Sequence, residues 1–176
     1  INNANSDIDS TGGDCAVGIG ADNITFSVGG SVLLGSTLNI NDAAGISIDG
    51  IGQKVILSGN NAVRVFLVNS GASLTIKNLT VANGLASGVG FAGSGIGGGG
   101  GINNQYGNLT IDRCTFTGNR STGNGGGIAN YGDIAAAVPN GNLNITNSTF
   151  ANNSASFGGA IINGHGKIWG SHPPLS

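Results

Sequence analysis

Few residues in this chain have the chemistry for catalysis, and their spacing is unfavourable. His165, between Gly164 and Gly166, is the best proton-transfer candidate, with Lys167 close behind. Acid–base work on a glycosidic bond would pair such a group with carboxylates set about one water apart. The eight acidic residues are all aspartates, at 7, 9, 14, 22, 42, 49, 112 and 133, and no two form a paired motif. Asp112-Arg113 is the nearest approach to a charged constellation, and its place in the repeat described below makes it a solvated corner. Asp7, Asp9 and Asp14 do not follow the spacing of a calcium loop. The two histidines and two cysteines lack the close spacing of a zinc site. Gly97–Gly101 is glycine-rich but has no following Lys-Ser/Thr to hold phosphate. The expectation is a non-enzymatic chain with no cofactor and no metal.

The elements that would carry any site come from a repeat. Leu74-Thr-Ile-Lys-Asn-Leu-Thr-Val-Ala-Asn-Gly84 recurs as Leu109-Thr-Ile-Asp-Arg-Cys-Thr-Phe-Thr-Gly-Asn119 and as Leu143-Asn-Ile-Thr-Asn-Ser-Thr-Phe-Ala-Asn-Asn153. Positions one and three are apolar, the period of a strand with one buried face. Positions six and eight are mostly apolar too, so the phase flips. A straight strand cannot flip phase without exposing half its apolar set. Each unit is therefore two short strands around a corner at positions four and five. Each closes on Asn83-Gly84, Gly118-Asn119 or Asn152-Asn153, residue types that enter the left-handed region cheaply.

A second motif alternates with the first: Gly99-Gly-Gly-Ile-Asn-Asn104, Gly125-Gly-Gly-Ile-Ala-Asn130 and Gly158-Gly-Ala-Ile-Ile-Asn163. Its glycine run is expected to supply a third strand. Ile102, Ile128 and Ile161 should then stack, as should Phe116 with Phe150 and Asn119 with Asn153. His165 should fall in the turn after that strand, where Tyr106 and Tyr131 occur in the sister repeats. Three strands per coil, stacked at about 4.8 Å, predict an all-β, right-handed parallel β-helix.

Upstream, strands are expected at Ile24–Phe26, Val32–Leu34, Leu38–Ile40, Ile46–Ile48, Val55–Leu57 and Val63–Val68. The stretches Gly84–Gly101 and Asp133–Gly141 read as loops leaving the coil. The resulting organisation is a lead-in or cap segment over 1–22, the β-helix over 23–169 and a tail over 170–176. Charged residues are only 8% of the chain, about a third of the usual share, which leaves few gatekeepers for open strand edges. A net charge of −2 without a basic cluster argues against a nucleic-acid partner. No apolar run approaches membrane-spanning length. The sequence opens on Ile1 without a signal-peptide pattern, as a mature or trimmed chain would. Cys114 shares its column with Leu79 and Ser148 and should be in the core. Cys15 belongs several coils away, too far for a disulfide.

Gly158-Gly-Ala-Ile161, Phe116-Thr-Gly-Asn119 and Phe150-Ala-Asn-Asn153 resemble the paired GGA-I and F-x-x-N motifs of bacterial polymorphic outer-membrane protein repeats. The run from Ser58 to Gly71, leading into Leu74-Thr-Ile76, is similar to secreted bacterial right-handed parallel β-helix repeat proteins. Asp14-Cys15 and Ala21-Asp-Asn-Ile-Thr-Phe26 resemble the start of such proteins, without the helix that often follows that cysteine. Gly164-His165-Gly166-Lys167-Ile168 looks like a fragment of the polygalacturonase signature, but its carboxylates have no counterpart. The resemblance covers roughly residues 14 to 168. It implies an extracellular or cell-surface location and structural or adhesive roles. Two uses follow as expectations. Copies stack end to end into a homopolymer, with Ile1, Ile8, Ile168 and Trp169 nearest the contacts. Alternatively, the side loops bind surface glycans as an adhesin would.

Overall fold

Among the described residues, seventeen short strands, all in parallel pairs, wind into five coils. The computed structural model describes residues 20–87, 97–133 and 142–166. Coil one holds β1 (Asp22–Thr25), β2 (Gly30–Leu33) and β3 (Leu38–Ile40), and coil two β4 (Ile46–Asp49), β5 (Val55–Ser58) and β6 (Phe66–Val68). Coil three holds β7 (Ser73–Lys77), β8 (Thr80–Ala82), β9 (Leu85–Ala86) and β10 (Ile102–Gln105). Coil four holds β11 (Asn108–Asp112), β12 (Thr115–Thr117), β13 (Arg120–Ser121) and β14 (Ile128–Asp133). Coil five ends the stack with β15 (Leu143–Thr146), β16 (Thr149–Ala151) and β17 (Ile161–Gly166). The first, second and third strands of successive coils form three five-stranded sheets. The fold is a parallel β-helix with three short strands per coil, as the repeat predicts.

The register stacks like on like. Ile24, Ile48, Ile76, Ile111 and Ile145 form one inward column. Val32, Leu57, Val81, Phe116 and Phe150 form a second, and Leu38, Phe66, Ile102, Ile128 and Ile161 a third. The middle members of each column are fully buried and together make the core. Phe116 and Phe150 stack with centroids 4.8 Å apart and planes 11° from parallel. That near-parallel stacking at the coil spacing lies within the range aromatic pairs prefer.

The phase flip resolves into a single residue. Asn78, Arg113 and Asn147 sit in the left-handed region at φ of 54°, 51° and 50°. Position four ends the first strand and position five turns the corner. The closing turn behaves likewise, with Asn83, Gly118 and Asn152 at positive φ.

Four expectations need correction. The glycine runs are bends, and the third strand begins at the isoleucine that follows. They are glycine because successive coils nearly touch there: a Cβ on Gly100 would lie 2.3 Å from the Arg120 carbonyl oxygen. Val63–Val65 is likewise outside a strand, because the Ala62 and Val63 amides fold back onto the Gly59 carbonyl. Leu85–Ala86 is not loop but a short strand paired with Arg120–Ser121. His165 lies in β17 rather than in a turn, opposite Gly132; Tyr131 is one position off, opposite Gln105 and Gly164. The strand runs on because Tyr131 is packed down, its hydroxyl accepting from Asn124 Nδ2 at 3.4 Å beside Gly98.

Arg113 is the corner residue least suited to its backbone. A left-handed conformation costs a non-glycine residue about 1–2 kcal/mol, and less for asparagine. Its ion pair with Asp112, at 2.7 Å, is solvent-exposed on the arginine side and is worth under about 1 kcal/mol. Arg113→Asn should therefore raise the unfolding free energy by about 0.5 kcal/mol, and Arg113→Val should lower it by about 1–2 kcal/mol. Urea titration of the three proteins checks both signs.

Candidate functional site

The ladder residues singled out in the sequence come together inside the coil. Asn119 is fully buried and joins three coils. Its Nδ2 donates to the Val81 carbonyl at 3.0 Å and to Asn153 Oδ1 at 2.9 Å, and its Oδ1 accepts from the Gly84 amide at 2.9 Å. Asn153 Oδ1 also accepts the Asn119 amide, while its Nδ2 donates to the Phe116 carbonyl. A second ladder runs through Asn104, Asn130 and Asn163, each donating its side-chain amide to the next, at 2.6 Å and 2.8 Å. In this second ladder the inter-coil bonds run toward coil five. These columns satisfy backbone groups that the bends leave without a strand partner.

Among the described residues, no group of three or more His, Cys, Asp or Glu could hold a metal ion. Asp112 accepts from Asn147 Nδ2 and Thr146 Oγ1, and these bonds hold its carboxyl below the usual carboxylate range. With Arg113 it forms the solvated corner expected of it. Cys114 is a free, buried thiol, its Sγ–H facing the Asp112 and Ile76 carbonyls. Ile1, Ile8, Cys15, Ile168 and Trp169 lie outside the described residues, as do residues 1–19 of the cap, the tail, and residues 88–96 and 134–141 of the two loops. Among the described residues, no helix is long and apolar enough to cross a membrane.

Three features were not anticipated. Arg64 reaches from coil two to the Gly99 and Gly98 carbonyls at 2.9 Å and 2.8 Å, and burial lowers the pKa of its guanidinium. A groove of about 550 Å³ runs beside β9 and β13, lined by Asn61, Leu85, Arg120, Thr122, Ser154 and Ser156. Arg120 is exposed there and has no ion pair among the described residues. The third feature is the inward placement of Asp22, in line with Ile46. The one available signal is scarcity: in a chain with six Lys and Arg, each one is a candidate for a dedicated role.

The end coils differ from the middle. Ile24, Phe26, Leu34 and Leu38 in coil one, and Leu143, Ile145, Phe150 and Ile161 in coil five, are only partly buried. Val28, Leu33 and Phe157 are largely exposed, at 73%, 64% and 66%. Among the described strands, those of coils one and five have a ladder partner on one side only.

Two outcomes test the interior. Asn119→Ala strands the buried Gly84 amide and Val81 carbonyl and should cost about 3 kcal/mol. Asn119→Asp should cost more, because it sets acceptors against Val81 and Asn153; thermal denaturation ranks them. Burial pushes the Cys114 thiol from its ordinary 9.0 up to about 11. The folded chain then holds this proton more tightly than the unfolded chain does. Its contribution is intact below pH 9 and is lost as pH rises toward 11. The melting temperature should fall across that window more steeply than in Cys114→Val. No family model matches the chain, and the comparisons with curated proteins and with solved structures likewise returned no match.

Proposed function

We propose that this chain is a non-enzymatic, extracellular structural β-helix whose copies associate end to end into a surface fibre or sheath. The observation that carries this reading is the pairing of kinds at the two ends. Continued in register, the columns would set Ile145 of one copy against Ile24 of the next, Phe150 against Val32 and Ile161 against Leu38. Among the described strands, each end has a row of amides and carbonyls with apolar side chains beneath, the arrangement that templates further pairing. The two ends are different surfaces, so the contact is head-to-tail and does not close on itself.

A second reading has one observation in its favour. The groove beside β13 combines exposed hydroxyls with an arginine that has no acidic partner among the described residues, the chemistry of a site for an anionic surface glycan. In that case the protein is an adhesive module.

Electron microscopy with light scattering on the purified chain separates the two. End-to-end association predicts filaments with an axial repeat of at least about 24 Å, the height of five coils. Monodisperse monomers at high concentration would overturn it. Glycan-array binding lost in Arg120→Ala would then favour the adhesive module.

A further inference from the structure

Charge is placed unevenly around the coil. The chain between the first strand and the third of each coil covers residues 26–37, 50–65, 78–101, 113–127 and 147–160. These stretches hold Lys54, Arg64, Arg113 and Arg120, four of the six cations, and none of the eight aspartates. Arg64 is committed to the Gly98 and Gly99 carbonyls, which leaves three cations for other work on this side.

A step in the coil sets a groove beside two of them. Residues 50–54 join β4 to β5, whereas only two residues join the first and second strands of coils three, four and five. The longer corner is fixed by Gln53, whose amide donates to the Gly50 carbonyl at 2.9 Å and whose Nε2 donates to the Ser27 carbonyl at 3.3 Å. Beside it, a groove of about 370 Å³ is lined by Lys54, Asn78, Thr80, Arg113 and Thr115. Lys54 is exposed and makes no ion pair among the described residues. Arg113 pairs with Asp112, but its side chain remains 58% exposed.

The nearest acids belong to the adjoining sheet. Asp49 and Asp112 end β4 and β11, with Lys77 between them in register. Asp49 accepts from Asn78 Nδ2 and the Ile51 amide, and Asp112 accepts from Thr146 and Asn147. Neither pairs with Lys54 or Arg120.

We infer that the outer face of the sheet formed by β2, β5, β8, β12 and β16 binds a linear acidic polysaccharide, one chain crossing it from the Lys54–Arg113 groove to the Arg120 groove. The inference rests on the adhesive reading of the Arg120 groove and joins a second groove to it. In coil four, Arg113 and Arg120 bracket β12, so an extended backbone puts them at most about 23 Å apart. Thr115 and Thr117 point outward between them, and Thr80 and Thr149 lie beside Thr115 on the flanking coils. Carboxylate or sulfate groups along one polymer can meet cations at both margins, while the hydroxyls bond the sugars between. Each exposed contact is weak alone, and two on one chain reinforce each other through effective concentration. The outward residues of β5, β8 and β12 include no aromatic ring on which a nucleic-acid base could stack. This face is on the flank of the coil, so it stays open whether or not copies stack end to end.

The test is biolayer interferometry of the full-length chain on immobilised alginate, a carboxylate polymer, and on dextran sulfate, with neutral dextran and single-stranded DNA as controls. Wild type should bind both acidic polysaccharides, ignore dextran and dissociate as salt rises. Lys54→Ala and Arg120→Ala should each weaken binding by up to about fivefold, and the double variant by up to about twenty-five-fold. Lys54→Arg, and Lys77→Ala on the adjoining face, should bind as wild type does, and circular dichroism checks that every variant is folded. Binding weakened in Arg120→Ala but unchanged in Lys54→Ala would overturn the crossing and leave the single-groove reading standing. An equal loss in Lys77→Ala would mean attraction to charge at large and would overturn the site. Tighter binding to DNA than to either polysaccharide would overturn the ligand class. No binding to any polymer would overturn both the crossing and the adhesive reading.

Discussion

Everything in this structure depends on one constraint: a strand in a coil has no hydrogen-bond partner within that coil. The Leu109 amide goes to the Asn142 carbonyl of coil five, and the Thr115 amide to the Leu79 carbonyl of coil three. Each coil is a loop of chain whose strand backbone is satisfied by the coils on either side. The spacing of about 4.8 Å is therefore fixed before any side chain is chosen. Side chains must accept it, which is why a column can be all isoleucine and why two phenylalanines stack in register. A coil that rotated by one residue would turn its columns outward and break its neighbours' ladders at once.

The corners are where this constraint meets sequence chemistry. Three sheets enclose a core only if the chain turns sharply between strands, and left-handed residues make those turns. Asn78, Arg113 and Asn147 share one corner, while Asn83, Gly118 and Asn152 share the next. Bends also leave amides and carbonyls without ladder partners. Asn119 takes up that role inside the coil, and Arg64 does so where the glycine run passes over coil two. With charged residues so scarce, side-chain amides do what ion pairs do elsewhere, and they carry no penalty for a buried net charge.

This division explains what was legible in the sequence. The inward columns were, because period two and its phase flip are imposed by strands around a corner. So were the closing turns, since asparagine and glycine are nearly obligatory there. The glycine runs misled, because a glycine signals close approach equally well in a strand and in a bend. The Leu85–Ala86 strand was invisible: two residues have no period, and Leu-Ala shares no pattern with its partner Arg-Ser. Arg64 could not be placed, since its acceptors are backbone carbonyls that any residue supplies. Asp22 was passed over because a lone aspartate near the first strand looks like solvated surface until the register shows which way it faces.

The polarity of the coil limits how two copies could meet. Parallel ladders continue only when the next strand runs in the same direction, so β15 of one copy must meet β1 of another, β16 must meet β2 and β17 must meet β3. A two-fold contact joining identical ends would set strands antiparallel and would lay β2, whose side chains are all exposed, against itself. It would also bring two Asp22 carboxylates toward each other with no cation in either coil to separate them. The side-chain ladder points the same way. Asn104 donates to Asn130 and Asn130 to Asn163, so this ladder runs in one sense along the stack. The partner most compatible with such an edge is one whose strands and amides run in the same sense, and the opposite end of an identical chain meets that condition.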